Sequence, residues 1–225
     1  MKIGIVGSGN MGRTLGLRWA EKGHQVFFGA RNQRDLNFLV EVAGADLPRG
    51  TLREAIAFGD VLLYTLRDTL PSAVADPEEW QHKILIDCNN GEIPEDFDYA
   101  PVLQSYTEKY QNDVPGVKVV KAFNTTAQEA YSHPAEVLRQ SRAVCFLAGD
   151  DETAKQLVSE LINDVGLTPL DAGQAFNARL LESYGDLVRL LMIKNGLGPF
   201  LTFSAQVLPA IESRKLGERQ PSNYK

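Results

Sequence analysis

Three glycines near the N-terminus have the spacing of a phosphate-binding turn. Gly7, Gly9 and Gly12 form a G-x-G-x-x-G pattern directly after the apolar run at residues 2–6. The first glycine of such a pattern allows a tight turn, the second leaves room for a phosphate, and the third allows close helix–strand packing. Free amides at the start of the following helix would then bind a pyrophosphate. The pattern predicts a dinucleotide site, and a turn without a ligand is the alternative.

The residues after the second apolar run indicate which dinucleotide is bound. An NAD-selective site usually has Asp or Glu about 20 residues after the glycine turn, where it bonds the ribose 2′-hydroxyl. Here the sequence is Gly-Ala-Arg-Asn at positions 29–32, and the first carboxylate is Asp35. Arg31 can pair with a 2′-phosphate and stack on adenine, assisted by Asn32 and Arg34. NADP(H) is therefore the predicted cofactor, with a solvated Arg31 as the alternative.

Candidates for chemistry lie in the second half of the chain. Asn124 and Thr125 follow the apolar run at residues 117–121. The carboxyl end of such a strand is where ligands bind in open α/β sheets. Their side chains could hold the nicotinamide or the acceptor by hydrogen bonds, or cap a following helix. His133 lies nearby, as a proton donor or as a solvated loop residue.

Other polar residues predict structural roles. Arg67 follows a buried strand and could meet a phosphate or remain solvated. The pair Asp150 and Asp151 is better explained as a helix cap than as a metal or acid–base pair. Cys88 and Cys145 lie in apolar runs without zinc-site spacing, which predicts reduced, buried thiols. We expect no metal site.

His24 follows the end of the first predicted helix, and we expect it to cap that helix. The aromatic side chains late in the chain could wall an acceptor pocket, although core packing is the favoured use. They are Tyr184, Phe200 and Phe203.

The bulk properties exclude several protein classes. The net charge is −6 and no basic run is present, which disfavours a nucleic-acid partner. No window of about 20 apolar residues exists, so we expect no membrane span. The N-terminus lacks the long apolar stretch of a secretory signal, and we expect a cytoplasmic protein.

Short apolar runs alternate with amphipathic segments, which predicts an α/β fold with a doubly wound, mostly parallel sheet. We predict six or seven strands, at residues 2–6, 25–28, 61–65, 83–87, 117–121, 142–147 and 167–170, the last of them as a possible short strand. Predicted helices cover about residues 10–21, 33–42, 152–165 and 174–194, with further helical segments after a capping box at 51–54 and near Pro101. We expect a nucleotide-binding domain at 1–172 and a small C-terminal helical extension at 173–225.

Several longer segments resemble one family. They are the glycine turn with residues 2–12, the segment 29–32, Val-Val-Lys-Ala-Phe-Asn-Thr at 119–125, Ala-Gly-Asp-Asp-Glu-Thr-Ala-Lys at 148–155, and Ala-Arg-Leu-Leu-Glu at 178–182. Over about residues 1–195 the chain resembles the NADPH-dependent coenzyme F420 reductase family of dinucleotide-binding proteins. The cytosolic reductase domain of the six-transmembrane metalloreductases is similar, including the segment at 121–125.

The resemblance implies a Rossmann domain with a small C-terminal extension, often as a homodimer. It implies NADP held by residues matching Ser8, Gly9, Asn10, Met11, Ala30 and Arg31. Thr65, Leu66 and Asn89 would flank the pyrophosphate and nicotinamide half, and Ala122 to Asn124 would lie near the nicotinamide.

The chain departs from the family pattern at two places. Ala30 stands where Ser or Thr is common, so one phosphate hydrogen bond is missing. Asn89-Asn90-Gly91 stands where Asn-Pro is common. No deazaflavin-binding signature is evident.

The predicted function is an oxidoreductase that transfers a hydride between NADPH and a small-molecule acceptor, a flavin-like or deazaflavin (F420-type) ring. One alternative is an NADPH-binding sensor or partner subunit without catalysis, because few catalytic residues are recognisable. A second alternative is a small-substrate imine or ketone reductase. It is disfavoured because such enzymes add a long helical domain, only about 30 residues follow Lys194, and no catalytic lysine is evident.

Overall fold

The computed structural model describes residues 1–209 and shows an α/β fold built on one eight-stranded sheet. The strands are β1 (Lys2–Val6), β2 (Gln25–Ala30), β3 (Arg49–Thr51), β4 (Val61–Tyr64), β5 (Ile84–Asp87), β6 (Lys118–Ala122), β7 (Val144–Gly149) and β8 (Thr168–Asp171). Residues 210–225, which include the end of the predicted extension, lie outside the described residues. The division of the chain at residue 172 stays a prediction.

The sheet order is β3-β2-β1-β4-β5-β6-β7-β8. Strands β1 to β6 pair in parallel, and β7 runs antiparallel to β6 while pairing in parallel with β8. The chain winds outwards from β1 to β3 and then returns to place β4 on the other side of β1. This reversal is the point where ligands bind in doubly wound sheets, at the carboxyl ends of the strands.

Eight α-helices cover the sheet in the described part of the chain. They are α1 (Asn10–Glu21), α2 (Gln33–Ala43), α3 (Leu52–Phe58), α4 (Pro77–Trp80), α5 (Tyr106–Asp113), α6 (Ala135–Ser141), α7 (Glu152–Asp164) and α8 (Ala178–Arg189). Short 3₁₀ turns occupy Pro71–Ala73, Gln128–Ser132 and Ala175–Asn177, and α8 continues into a π-helical turn at Leu190–Lys194.

Both faces of the sheet are covered by apolar side chains. One layer packs Ile3, Ile5, Trp19 and Leu161 between the sheet and helices α1 and α7. The other packs residues of the opposite face, centred on Tyr64, against α3, α4 and α5. The parallel strands are therefore buried on both sides, as their continuous apolar runs predict.

The predicted fold class is confirmed, with several boundary corrections. All seven predicted strands are present within two residues of their predicted limits, and β8 is a full strand. The prediction missed β3, because only three residues form it at the edge of the sheet. The helix predicted near Pro101 begins at Tyr106, because Ser105 and Glu108 form a capping box there.

The predicted caps are present at other helices. Thr51 and Glu54 form the predicted capping box of α3. Asp151 accepts a hydrogen bond from the amide of Ala154 at the start of α7. Gly23 follows α1 with φ +85°, a conformation that favours glycine at a helix end. His24 caps α1 through its main chain, since its amide donates to the Trp19 carbonyl at 3.1 Å. Its ring bonds the N-terminal amine at 3.0 Å and Asp164 at 2.8 Å, joining the start of β1 to the end of α7.

Candidate dinucleotide site

The glycine turn joins β1 to α1 at the reversal of the sheet. Gly7 has φ +110°, and a Cβ there would meet the Thr65 hydroxyl at 2.3 Å. A Cβ on Gly12 would meet the Gly7 carbonyl oxygen at 2.1 Å. Gly9 differs, because its Cβ position has no atom within 4 Å among the described residues. Gly7 and Gly12 are therefore required by packing, whereas Gly9 faces open space.

The start of α1 offers unpaired amides. Within the described chain, no side chain caps this helix, and its first turn contains no acidic residue. The Ser8 hydroxyl is buried and donates to the Gly29 carbonyl at 2.9 Å, so only its main chain can serve a ligand. Asn10 accepts a bond from Arg13 at 3.0 Å. Open amides and a positive helix end form an anion-binding position.

Arg31 is exposed immediately after β2. It lines a cavity of about 320 Å³, here called the Arg31 cavity, together with Arg67 from the end of β4. Ala30 is buried at the end of β2. Asn32 caps α2 by accepting a bond from the Asp35 amide at 3.0 Å, so its side-chain oxygen is already engaged.

A second cavity continues from the first towards α8. This Asn124 cavity measures about 380 Å³ and includes Asn124 and Thr125. The two cavities share Met11, Cys88, Asn90 and Arg189, and so form one cleft along the carboxyl edge of the sheet. The full lining of the Asn124 cavity is Met11, Cys88, Asn90, Ile93, Phe123, Asn124, Thr125, Thr126, Ala127, Gln128, Glu129, Gly185, Val188, Arg189 and Met192.

Asn124 is buried and held in one orientation. Its amide nitrogen donates to the Leu181 carbonyl and to Asn90 Oδ1, both at 2.8 Å. Because a carbonyl only accepts, these bonds fix which side-chain atom is nitrogen and which is oxygen. Asn90 in turn donates to the Asn124 carbonyl at 2.6 Å. Asn124 Oδ1 has no partner among the described residues, so a buried acceptor remains at the cavity.

The capping alternative for Asn124 and Thr125 is wrong. The next helical turn is the 3₁₀ segment Gln128–Ser132, which begins after Ala127 without a side-chain cap. Thr125 and Thr126 are buried at the cavity instead.

Phe123 has a backbone conformation that bulky residues rarely adopt. Its φ is +63°, in the left-handed region. The Phe123 amide donates to Cys145 Sγ at 3.2 Å, and the residue lies against the Asn124 cavity. Surrounding structure must impose this conformation, and such strain concentrates at functional sites.

Lys121, Asp87 and Glu182 form a buried ion cluster. Lys121 is fully buried, and its ammonium group donates to Asp87 at 3.0 Å and to Glu182 at 2.7 Å. It also donates to the Asn89 carbonyl oxygen. Burial would lower the pKa of Lys121, but the two carboxylates outweigh it and the pKa is raised. Burial is also the main reason why the pKa of Glu182 is raised.

Residues 2–91 match the family described as NADP oxidoreductase, coenzyme F420-dependent. The F420-dependent NADP reductase of Methanothermobacter thermautotrophicus is 26% identical over 216 residues, which cover 87% of this chain and 90% of the relative. The chain is similar to coenzyme F420-dependent NADP oxidoreductases, which agrees with the class predicted from the sequence.

A metalloreductase is also similar. The rat Metalloreductase STEAP3 is 31% identical over 185 residues, covering 81% of this chain. The chain spans only about a third of that relative's length, 36%. Within residues 1–209, no helix has both the length and the apolar character needed to cross a bilayer.

Solved structures support the fold. A candidate F420-dependent NADP reductase from Arthrobacter sp. FB24 superposes with a TM-score of 0.74 at 23% identity, covering 92% of this chain and all of that one. An imine reductase from Bacillus cereus gives 0.62 at 16% identity, covering 86% of this chain and 62% of that one. At these identities the likeness shows the fold alone.

Of the sixteen predicted site residues, seven line the cleft and seven belong to the glycine turn or to the junction of β2 with α2. Met11, Arg31, Thr65, Leu66 and Asn89 line the Arg31 cavity. The Asn89 side chain is partly engaged, since it donates to the Tyr64 carbonyl at 3.0 Å.

Two predicted residues lie elsewhere. Ala122 is fully buried within β6 and belongs to the apolar core. His133 is exposed, and its ring packs on Phe200 with centroids 5.2 Å apart, outside the lining of both cavities. Its position favours the solvated loop over a proton donor. Tyr184 and Phe203 pack edge to face, also outside both linings, which agrees with the packing alternative.

Two features were not predicted from the sequence: the buried Lys121 and the position of Arg189 at the cleft. The sequence contained a sign of the buried Lys121, because Lys121 and Asp87 are charged residues within apolar strand runs, where charges are rare unless they are paired. They are direct partners across β5 and β6.

The two thiols are buried and free, as predicted. Burial raises the pKa of Cys88 and of Cys145 to about 12, so neither is a ready nucleophile. In the described part of the chain, no group of three or more His, Cys, Asp or Glu residues is arranged to hold a metal ion.

Proposed function

We propose that this chain binds NADPH along the cleft and exchanges a hydride with a flavin-like or deazaflavin ring in the Asn124 cavity. The observation that carries the proposal is the continuity of the two cavities. One contains an arginine at the position that selects a 2′-phosphate, and the other contains a buried, unpartnered acceptor at Asn124.

The residues present fit an NADP cofactor. The open space at Gly9 and the uncapped start of α1 suit the pyrophosphate. Arg31 suits the 2′-phosphate, because a guanidinium binds phosphate oxygens with two parallel bonds. Asn124 Oδ1 is an acceptor for the amide of the nicotinamide. When bound, the cofactor supplies the hydride chemistry, and the protein supplies orientation and exclusion of water.

An acceptor ring would occupy the Asn124 cavity beyond the nicotinamide. Its volume of about 380 Å³ is within the range of small-molecule sites. Phe123, Val188 and Met192 give it apolar walls, and Asn124 and Thr125 give it polar atoms. Hydride transfer between two rings requires mainly stacking geometry, which agrees with the exposed position of His133 away from the cleft. The relatives named as F420-dependent NADP reductases support the ring acceptor.

An anaerobic stopped-flow assay tests the proposal. NADPH oxidation is followed with F420, FMN, FAD, a ferric chelate and a cyclic imine as separate acceptors. We expect turnover with at least one of the three ring compounds and little with the imine. Turnover confined to the imine would favour the small-substrate reductase. Tight NADPH binding without any turnover would favour the sensor or partner subunit.

A further inference from the structure

Arg189 is a partly buried cation at the junction of the two cavities. It is the last residue of α8, lines both the Arg31 cavity and the Asn124 cavity, and exposes only 20% of its side chain. The chain turns directly afterwards into the π-helical segment Leu190–Lys194. Such π turns are rare and occur often at functional sites.

The hydrogen bonds of Arg189 are incomplete. Nη1 donates to the Gly91 carbonyl at 2.7 Å and lies 3.4 Å from Asp186 Oδ1. Among the described residues, Nε and Nη2 have no partner, although a guanidinium carries five donors. Burial lowers the pKa of Arg189, and the attraction of Asp186 opposes this only in part. A partly buried cation with spare donors fits a ligand that brings negative charge.

The neighbouring charges do not neutralise this cation fully. Arg31 and Arg67 line the same cavity, and Asp68, its one carboxylate, lies 3.3 Å from Arg67. In the Asn124 cavity the only other charged residue is Glu129, which accepts a bond from Gln128 at 3.3 Å.

We propose that Arg189 stabilises the negative charge that an acceptor ring gains when it takes a hydride. The inference rests on the proposed function and sharpens it. It assigns the site to acceptors that become anionic on reduction, such as flavin-like or deazaflavin rings. An iminium substrate carries a positive charge that Arg189 repels, and its reduction leaves no anion to stabilise.

The charge balance of the step supports this assignment. The hydride brings a proton and two electrons from C4 of the dihydronicotinamide, whose C–H bond breaks. A new bond to hydrogen forms on the acceptor ring, which gains one negative charge while the nicotinamide becomes cationic. A proton from solvent neutralises the ring later. A fixed cation at the ring therefore acts where charge develops, which is where electrostatic stabilisation is largest.

The test uses the full chain with Arg189→Gln, which removes the charge, and Arg189→Lys, which keeps it. Lys194→Gln is the matched control, because Lys194 is exposed on the adjoining π turn and lines neither cavity. The probe is the ring compound that the wild-type protein reduces fastest among F420, FMN and FAD. Three quantities are measured: the dissociation constant of NADPH, those of the oxidised and reduced ring, and the single-turnover rate of hydride transfer.

We expect Arg189→Gln to slow hydride transfer by about 100-fold, the usual effect of losing one such donor. It should weaken binding of the reduced ring far more than that of the oxidised ring, with less than a threefold change in NADPH affinity. Arg189→Lys should recover part of both losses, and Lys194→Gln should match the wild type.

An Arg189→Gln protein that loses NADPH affinity but keeps the wild-type ratio of reduced to oxidised ring binding would overturn the inference. Arg189 would then be a ligand of the cofactor. Failure of the proposed function itself is seen earlier, as absence of ring reduction by the wild-type protein. If the wild-type protein also binds neither ring form, the assignment of Arg189 fails with it.

Discussion

The Arg31 cavity and the Asn124 cavity lie side by side along one sheet edge, but the chain builds them differently. Around the glycine turn, three bonds end on main-chain acceptors: Gly7 N and the Ser8 hydroxyl donate to the Gly29 carbonyl, and the Thr65 hydroxyl donates to the Gly7 carbonyl. Around Asn124, side chains separated by 34 to 61 residues hold the wall together.

The difference separates a part of the cleft that depends on main-chain acceptors from a part that depends on side chains. A turn made from main-chain bonds depends on a few glycines and tolerates change in the side chains around it. The Asn124 cavity depends on the match between β5, β6 and α8.

The largest expected effect comes from Lys121→Met. The change leaves the buried carboxylates of Asp87 and Glu182 without a counter-charge, which costs about 3–5 kcal/mol of unfolding free energy. Urea denaturation at pH 7.5 measures it. The matched control is Lys118→Met on the same strand. The ion pair of Lys118 with Asp151 is partly exposed, so its loss should lower the free energy of unfolding by less than about 1 kcal/mol.

The same variant predicts a pH dependence. Burial raises the pKa of Glu182, so the stability linked to this group is present below its unfolded pKa and is lost as pH rises through the folded pKa. The deficit of Lys121→Met should therefore be smaller at pH 5 than at pH 8. An equal deficit at both pH values would show that the loss comes from packing rather than charge.

The next effect concerns the other cavity. Arg31→Glu replaces a cation with an anion facing the 2′-phosphate, so NADPH affinity should fall on the order of 100-fold, while NADH affinity changes less than about threefold. Fluorescence titration measures both. Lys22→Glu is the control, since Lys22 is exposed at the end of α1 and lines neither cavity. Equal losses for the two nucleotides would argue against a 2′-phosphate role.

A pair of glycine variants separates packing from binding within the turn. Gly12→Ala forces a Cβ against the Gly7 carbonyl and should cost about 1–3 kcal/mol of stability. Gly9→Ala should leave the melting temperature unchanged, because φ is −68° and the space is open, yet weaken NADPH binding by at least about tenfold. Unchanged NADPH affinity in folded Gly9→Ala would place the pyrophosphate elsewhere.

The smallest effect lies at the outer contact of α5 with α8. Bonds from Arg179, at 2.6 and 2.7 Å, are the main reason why the pKa of Glu108 is lowered to about 2. The stability from this pair is present above the unfolded pKa of about 4.3 and is lost as pH falls through the folded value. Between pH 5 and pH 2, the melting temperature should fall less for Glu108→Gln than for the wild type. A pH dependence identical to that of the wild type would show that this contact does not stabilise the fold.

The sequence by itself determined the features that depend on neighbouring residues. The glycine turn, the strands with their apolar runs and the caps at Thr51 and Asp151 all follow from local conformational and hydrogen-bonding rules. The short strand β3 and the start of α5 were missed or misplaced, the first for its length and the second for an overlooked capping box at Ser105. The fold class and the family therefore needed no tertiary information.

Only the tertiary structure decided which polar residues meet behind and within the Asn124 cavity. Lys121 finds Glu182 across 61 residues, and Asn124 finds Leu181 across 57. Arg189 reaches Gly91 across 98. Such pairings depend on the relative positions of strands and a helix that are distant in the chain, and no local pattern encodes those positions. Their energies are large because burial removes the water that would otherwise satisfy these groups.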